Sequence, residues 1–290
     1  CSAGKILSEG AAVRKLLSAN FSRLWKNKIF WAEIGLTSLL SVFIVISNYS
    51  PGVQASESSR LYLDDVFFIM YLMLGFILAA GISLIVGSEY SDGTIRNKLI
   101  IGKTRVQIYF ANLFASIIPS CIVLLVHGII TFGTGYFLWG NFKMPPAQIG
   151  IVLLSALLTT FVFSALFVAI SMNCSNKAVT AVISLLIVLG LTTLTSTIGN
   201  ALSETEMTYD SVTYTADSIL FGNEIPNPAY VSGVQRTMYE FVYDLLPTGQ
   251  LMQMYTLVFD RCTRWPAFSV LFSMLITAGG YIMFRRKDIK

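Results

Sequence analysis

His127 is the only histidine in the chain, and it falls inside a long apolar stretch. Acid–base or nucleophilic catalysis would need a partner for it, yet neither HExxH nor GxSxG occurs. No apolar run holds a pair of carboxylates, so two-carboxylate chemistry has no seat either. Cys1, Cys121, Cys174 and Cys262 form no CxxC and no closely spaced framework, which argues against a zinc site or a disulfide scaffold. Ile101-Gly102-Lys103-Thr104 ends like a phosphate-binding loop, GxxxxGK[ST]. Its first glycine would have to stand where Asn97 is, and no buried strand precedes it. The chain is therefore expected to hold no ATP site, no metal and no catalytic set of its own.

One polar segment, Gly87 to Gln107, concentrates groups that can interact. It carries Glu89, Asp92, Arg96, Lys98, Lys103 and Arg105. Asp92-Gly93-Thr94 predicts a turn, and Ile95, Leu99, Ile100 and Ile101 give the short helix after it an apolar side. Gly93 suits a tight turn, and Thr94 is expected to cap the helix. Glu89, at the membrane edge, is expected to pair with Arg96 or Arg105 and to hold the segment at a fixed angle. Arg96, Lys98 and Arg105 are also placed to meet acidic groups on a partner.

A bilayer must position this segment. Of 290 residues, 54% are hydrophobic and 12% charged, about half the charge of a soluble domain. Six apolar runs are long enough to cross about 30 Å of hydrocarbon. They are Ile29 to Ser47, Val66 to Val86, a stretch within Ile108 to Leu138 containing Pro119, Ile149 to Ser171, Ala178 to Ile198, and Pro266 to Phe284. The fold class is all-α integral membrane. An even count puts both termini on one side, and that side collects fifteen of the twenty Lys and Arg residues. By the positive-inside rule it faces the cytoplasm. Eleven of the sixteen acidic residues fall on the other side, which solubilises external loops or attracts cationic ligands. The first ten residues carry no apolar run, and no cleavable signal is expected.

The chain divides into residues 1–28, 29–198, 199–264 and 265–290. The first part holds a predicted amphipathic helix over Ala12 to Lys28. Val13, Leu16, Leu17, Phe21, Leu24 and Trp25 share one face, with Arg14, Lys15, Arg23 and Lys26 on the other. Such a helix lies in the interface. In the external part, the first half is polar, and Gly222 to Pro228 reads as loop. Two short apolar runs follow, Val234 to Leu246 and Leu251 to Phe259, joined by Pro247, Thr248 and Gly249 in a helix–break–helix. The fifth span carries Thr192, Thr193, Thr195 and Ser196 near its outer end. These either line a path or bond back to their own helix. Apart from His127, the spans hold only Glu33, expected to reach the interface or to pair with Lys28. Without an ion relay, any transport is expected to draw its energy from elsewhere.

The run from Glu89 to Arg105 resembles the cytoplasmic motif of type-2 ABC exporter permeases: an acidic residue, Gly93-Thr94, a basic residue at Arg96, Leu99, Gly102 and Arg105. Leu246-Pro247-Thr248-Gly249-Gln250-Leu251, ahead of the last span, is similar to a second feature of that family. The interfacial helix and the six spans complete a likeness over the whole chain. The resemblance implies a bacterial plasma-membrane permease that pairs with a second one, identical or related. It also implies two cytoplasmic ATP-binding subunits, which bind ATP and magnesium. The segment 87–107 would be the coupling helix, and the short helix pair would sit near the external exit. Exported substrates in such a family include antimicrobial peptides. No nucleic-acid partner is expected. The competing reading is a non-transporting sensor or scaffold that binds an external ligand through 199–264.

Overall fold

A computed structural model describes residues 18–55, 61–214 and 219–288. Cys1, Lys5, residues 12–17 of the predicted amphipathic helix, Glu57, Arg60, Asp217 and Lys290 lie outside them. The rest of that helix, residues 18–25, is α1.

Six helical segments are long and apolar enough to span: Lys28–Ser47, Leu63–Ser91, Arg105–Trp139, Pro146–Asn173, Lys177–Ser203 and Cys262–Arg286. Each encloses one apolar run read from the sequence and extends past it by up to five residues at an end. The chain is thus an all-α multi-pass membrane protein. The first span is α2 (Lys28–Ser47), started by Asn27, whose Oδ1 accepts from the Ile29 N–H at 2.8 Å. After a short helix α3 (Pro51–Ala55), the second span comes in two pieces, α4 (Leu63–Phe67) and α5 (Tyr71–Ser91). The break between them was not expected. A seven-residue helix α6 (Thr94–Ile100) follows.

The third span, α7 (Arg105–Trp139), is one 35-residue helix that carries Pro119 without ending. A reciprocal capping box opens it: Thr104 Oγ1 accepts from the Gln107 N–H, and the Gln107 side chain accepts from the Thr104 N–H. It stops at Gly140, at φ +77°. The fourth and fifth spans are α8 (Pro146–Asn173) and α9 (Lys177–Ser203), and Asn176 caps the latter. The sixth is α12 (Trp265–Arg286), entered through a 3-10 turn at Cys262–Arg264. The second and fourth spans are the most buried. α8 packs on α12, α5 on α9, and α2 on α7.

The end of the bundle that carries the described terminal residues holds α1, α6 and Lys287, and is called the basic end below. At the far end, the segment read as loop is instead a β-hairpin. β1 (Met207–Tyr209) pairs antiparallel with β4 (Glu224–Pro226), and β2 (Val212–Tyr214) with β3 (Ile219–Phe221). Asp210-Ser211 and Gly222-Asn223 interrupt the ladder. Pro226 stands opposite Met207, and the strand-to-strand bond beyond it is made by the Asn227 N–H, which donates to the Glu206 carbonyl at 2.9 Å.

The helix–break–helix is present as α10 (Gly233–Leu245) and α11 (Pro247–Tyr255). Its break lies one residue earlier than expected. Leu246 alone is extended, at ψ 134°, while Pro247, Thr248 and Gly249 already form the first turn of α11. Proline at the first helical position gives up an N–H that has no partner there.

Candidate coupling site

Gly93 has φ +65° and turns the chain from α5 into α6, as its residue type predicts. Thr94 does not cap the helix. Gly93 occupies the cap position, and Thr94 is already helical with no side-chain cap bond. Gly102, at φ +85°, makes the second turn, from α6 into α7. Two left-handed glycines therefore bracket a seven-residue helix and aim it across the basic end.

On so short a helix the buried face is set by phase. Ile95 and Lys98, three residues apart, face inward, while Arg96 and Asn97 are exposed. Glu89 therefore pairs with neither Arg96 nor Arg105. Its Oε1 accepts from Lys98 Nζ at 2.7 Å, and Arg23 Nη1 lies 3.5 Å away. Its Oε2 accepts from Asn112 Nδ2 at 2.8 Å. Asn20 closes the ring: its Nδ2 donates to Asn112 Oδ1 at 3.0 Å, and its Oδ1 accepts from Lys98 Nζ at 3.2 Å. One buried carboxylate thus joins α1, α5, α6 and α7.

Arg23 was read as facing the solvent side of an amphipathic helix. It turns inward instead, donating to Ser88 Oγ at 2.8 Å and to Asp92 Oδ2 at 2.9 Å. The partially shielded acids of α5 outweigh headgroup contact for this one side chain, while Trp25 stays exposed. Arg105 has another use. Its Nη1 donates to the carbonyls of Phe284, Arg285 and Lys287. These belong to the final turn of α12 and the residue after it, where carbonyls lack helical donors. The α6–α7 corner is thereby tied to the end of the last span. Leu99 is half-buried against the core. Ile100 and Ile101 project with 73% and 75% of their surfaces exposed.

At the far end, α11 is sunk among α9, α5 and α8. Gln250 Oε1 accepts from Thr159 Oγ1 and Ser269 Oγ, each at 2.8 Å, and its Nε2 donates to the Asp244 carbonyl at 2.9 Å. Buried Asp244 receives Arg261 at 3.0 Å and Gln253 at 3.2 Å. Polar backbone is tolerated at this depth because protein covers it. Gly249 is required there, since a Cβ would stand 2.0 Å from the Tyr243 carbonyl oxygen. Burial pushes the Tyr243 hydroxyl up to about 12, so it stays a neutral phenol.

Two of the four hydroxyls singled out in the fifth span bond back to their own helix. Thr193 donates to the Leu189 carbonyl and Thr195 to that of Leu191. Thr195 is buried, and Thr192 and Ser196 are half-buried. His127 is a packing element: Nε2 donates to the Phe67 carbonyl at 3.0 Å, Nδ1 accepts from the Thr131 hydroxyl at 3.1 Å, and Ser41 Oγ, 2.9 Å from Nδ1, gives its proton to the Thr37 carbonyl. Phe67 ends α4, so the ring satisfies a carbonyl that the break in the second span sets free.

Asn20 and Asn112 were not singled out from the sequence, and Arg23, Asp244 and Gln250 were given no polar partner there. Asn112 and Gln250 carried a usable signal, being amides inside apolar or short helical runs, where a partner is required.

The family model described as ABC-2 family transporter protein matches residues 16–204. The chain belongs to that family. The match runs from α1 to the far end of α9, so it contains the whole Glu89 joint and stops short of the hairpin, α10, α11 and α12. No curated protein matches the chain. An ABC-2 family protein is a membrane component of a transporter and is not itself a catalytic ATPase.

Proposed function

We propose that this chain is the permease subunit of an ATP-driven exporter, with its basic end in the cytoplasm of a bacterial cell. The Glu89 joint carries the reading. It makes α6 a rigid extension of the second and third spans, and it leaves Ile100 and Ile101 bare at the tip. A cytoplasmic ATP-binding subunit docks on that tip, one copy per permease. ATP and magnesium bind there and not in this chain. A second permease, identical or related, completes the translocation path. Glu89, Gly93, Thr94, Arg96, Leu99, Gly102 and Arg105 receive the ATPase stroke. Arg105 passes it to α12 and the Glu89 joint passes it to α1, α5 and α7.

The far end suits a cationic amphipathic peptide as cargo. Residues 204–227 hold five carboxylates and no Lys or Arg, and Tyr209 and Phe221 expose adjoining rings 4.7 Å apart. The same hairpin favours the second reading, a receptor that does not transport. Two measurements separate them. The chain is co-expressed with a candidate ATP-binding subunit. The complex is then reconstituted in vesicles, and ATP-dependent peptide movement is followed. Stable isolation without an ATPase, with peptide binding but no movement, would overturn the exporter reading.

A further inference from the structure

Glu33 is used by none of the contacts above. It lies in the second turn of α2, only 8% exposed, and points into the bundle. Lys28, its expected partner, is exposed at the start of the helix. Among the described residues, no ion pair or hydrogen bond engages the Glu33 carboxylate. An ionised carboxylate alone at this depth is strongly disfavoured, so a positive charge must accompany it.

The surroundings are built to accept one. Gly81 of α5 provides the notch, since a Cβ there would stand 2.4 Å from Glu33 Oε2. The carboxylate lines a cavity of about 10 Å³ with Ser116, Pro119 and Ser120 of α7 and with Ala115 beside them. That volume holds one water or one bare ion. Pro119 has no N–H, so the Ala115 carbonyl loses the donor four residues on. Ser120 Oγ gives its proton to the Ser116 carbonyl, and Ser164 Oγ, 3.2 Å from it, also reaches the Thr160 carbonyl, so Ser120 keeps a free lone pair. Besides Ser116, Ser120 and the Ala115 backbone, Ile82 and Ile85 of α5 and the Pro119 ring close the cavity with apolar surface. The α5 and α7 residues facing Glu33 are uncharged.

A way in exists from the basic end. A second cavity, about 30 Å³, shares Ile85, Ala115 and Ser116 with the first and reaches Asn20, Arg23, Glu89 and Asn112. A surface groove at Arg23, Ser88 and Asp92 adjoins it. Arg23, which lines both the groove and the second cavity, is engaged by Glu89 as Lys98 is, and Lys26 stands at the groove.

We propose that Glu33, the hydroxyls of Ser116 and Ser120 and the Ala115 carbonyl form a site for one small monovalent cation, either a proton or sodium. The occupant bridges α2 and α7, and it enters by the polar route beneath Glu89.

The test uses the full chain in lipid nanodiscs, treated with dicyclohexylcarbodiimide, which adds to protonated carboxyls in apolar surroundings. Peptide mapping locates the adduct. Glu33 is expected to react in choline chloride buffer, whereas exposed Glu224 does not. Glu33→Gln should abolish the adduct on that peptide, and Ser116→Ala should reduce it. Protection of Glu33 by sodium chloride assigns sodium. An adduct that ignores sodium but falls as pH rises assigns the proton. No adduct at Glu33 at any pH in either buffer overturns the site. So does a Glu33 adduct no larger than that on exposed Glu224, because the carboxyl then behaves as an ordinary solvent-facing acid.

Discussion

The Glu89 carboxylate and the Lys98 ammonium meet at 2.7 Å, and both side chains are almost wholly withdrawn from solvent. Nine residues separate them in sequence. The turn at Gly93 folds α6 back so that its inward face lands on the end of α5. Asn112 and Asn20 complete the coordination, which is the condition under which a buried ion pair repays its desolvation. The pair sets the angle of α6 against the spans.

Removing one partner should therefore cost more than removing both. Glu89→Ala leaves Lys98 buried without a counter-charge and is expected to lose about 3–5 kcal/mol. Lys98→Ala should be similar. The double variant Glu89→Leu/Lys98→Met should recover most of the loss. Thermal unfolding in detergent measures all three. Equal stability of the single variants and the wild type would contradict the joint.

Ile100 and Ile101 touch little of their own chain, so Ile100→Asp and Ile101→Asp should change stability by no more than about 0.5 kcal/mol. Both should release the ATP-binding subunit, read as loss of the stoichiometric complex in size-exclusion chromatography. Arg96, exposed beside them, behaves the same way in this account. Arg96→Ala leaves the unfolding temperature in place and lowers transport-coupled ATP hydrolysis. A folding defect in Arg96→Ala would count against its outward placement.

Gly249→Ala forces a methyl group against the Tyr243 backbone and is expected to cost about 1–3 kcal/mol through overpacking. Gly190, within α9, has open space where its Cβ would go. Gly190→Ala should instead stabilise by about 0.5–1 kcal/mol, the usual gain inside a helix. Opposite shifts in melting temperature are the expected result.

His127→Leu strands the Phe67 carbonyl and should destabilise by about 1–3 kcal/mol. His127 holds a break and relays no proton in this arrangement. The pH profile of transport by the surviving His127→Leu protein should therefore overlay that of the wild type. A profile displaced along the pH axis would restore a catalytic or relay role.

Six spans and the glycine turn at Gly93 could be read from the chain itself, whereas the helices run up to five residues past the expected ends. Hydrocarbon allows only long apolar helices, so composition and length settle the element, and the polar turns beyond the bilayer settle where it stops. The hairpin over residues 207–226 was not legible as strands. Its pairing depends on contacts between residues up to 19 apart, and its polar, turn-rich composition reads equally well as loop. The partner of Glu89 was likewise open, with Arg96 and Arg105 both at credible distances in sequence. Tertiary structure chose Lys98 because α6 turns 100° per residue, putting Lys98 on the Ile95 face and Arg96 outside it. It sent Arg105 to the free carbonyls of α12, turned Arg23 inward onto Ser88 and Asp92, and closed α5 and α7 over Glu33. Apolar runs declare themselves because the membrane acts on each helix separately. Polar side chains find their partners only when helices meet, and the rotation of one helix against another is not written in either alone.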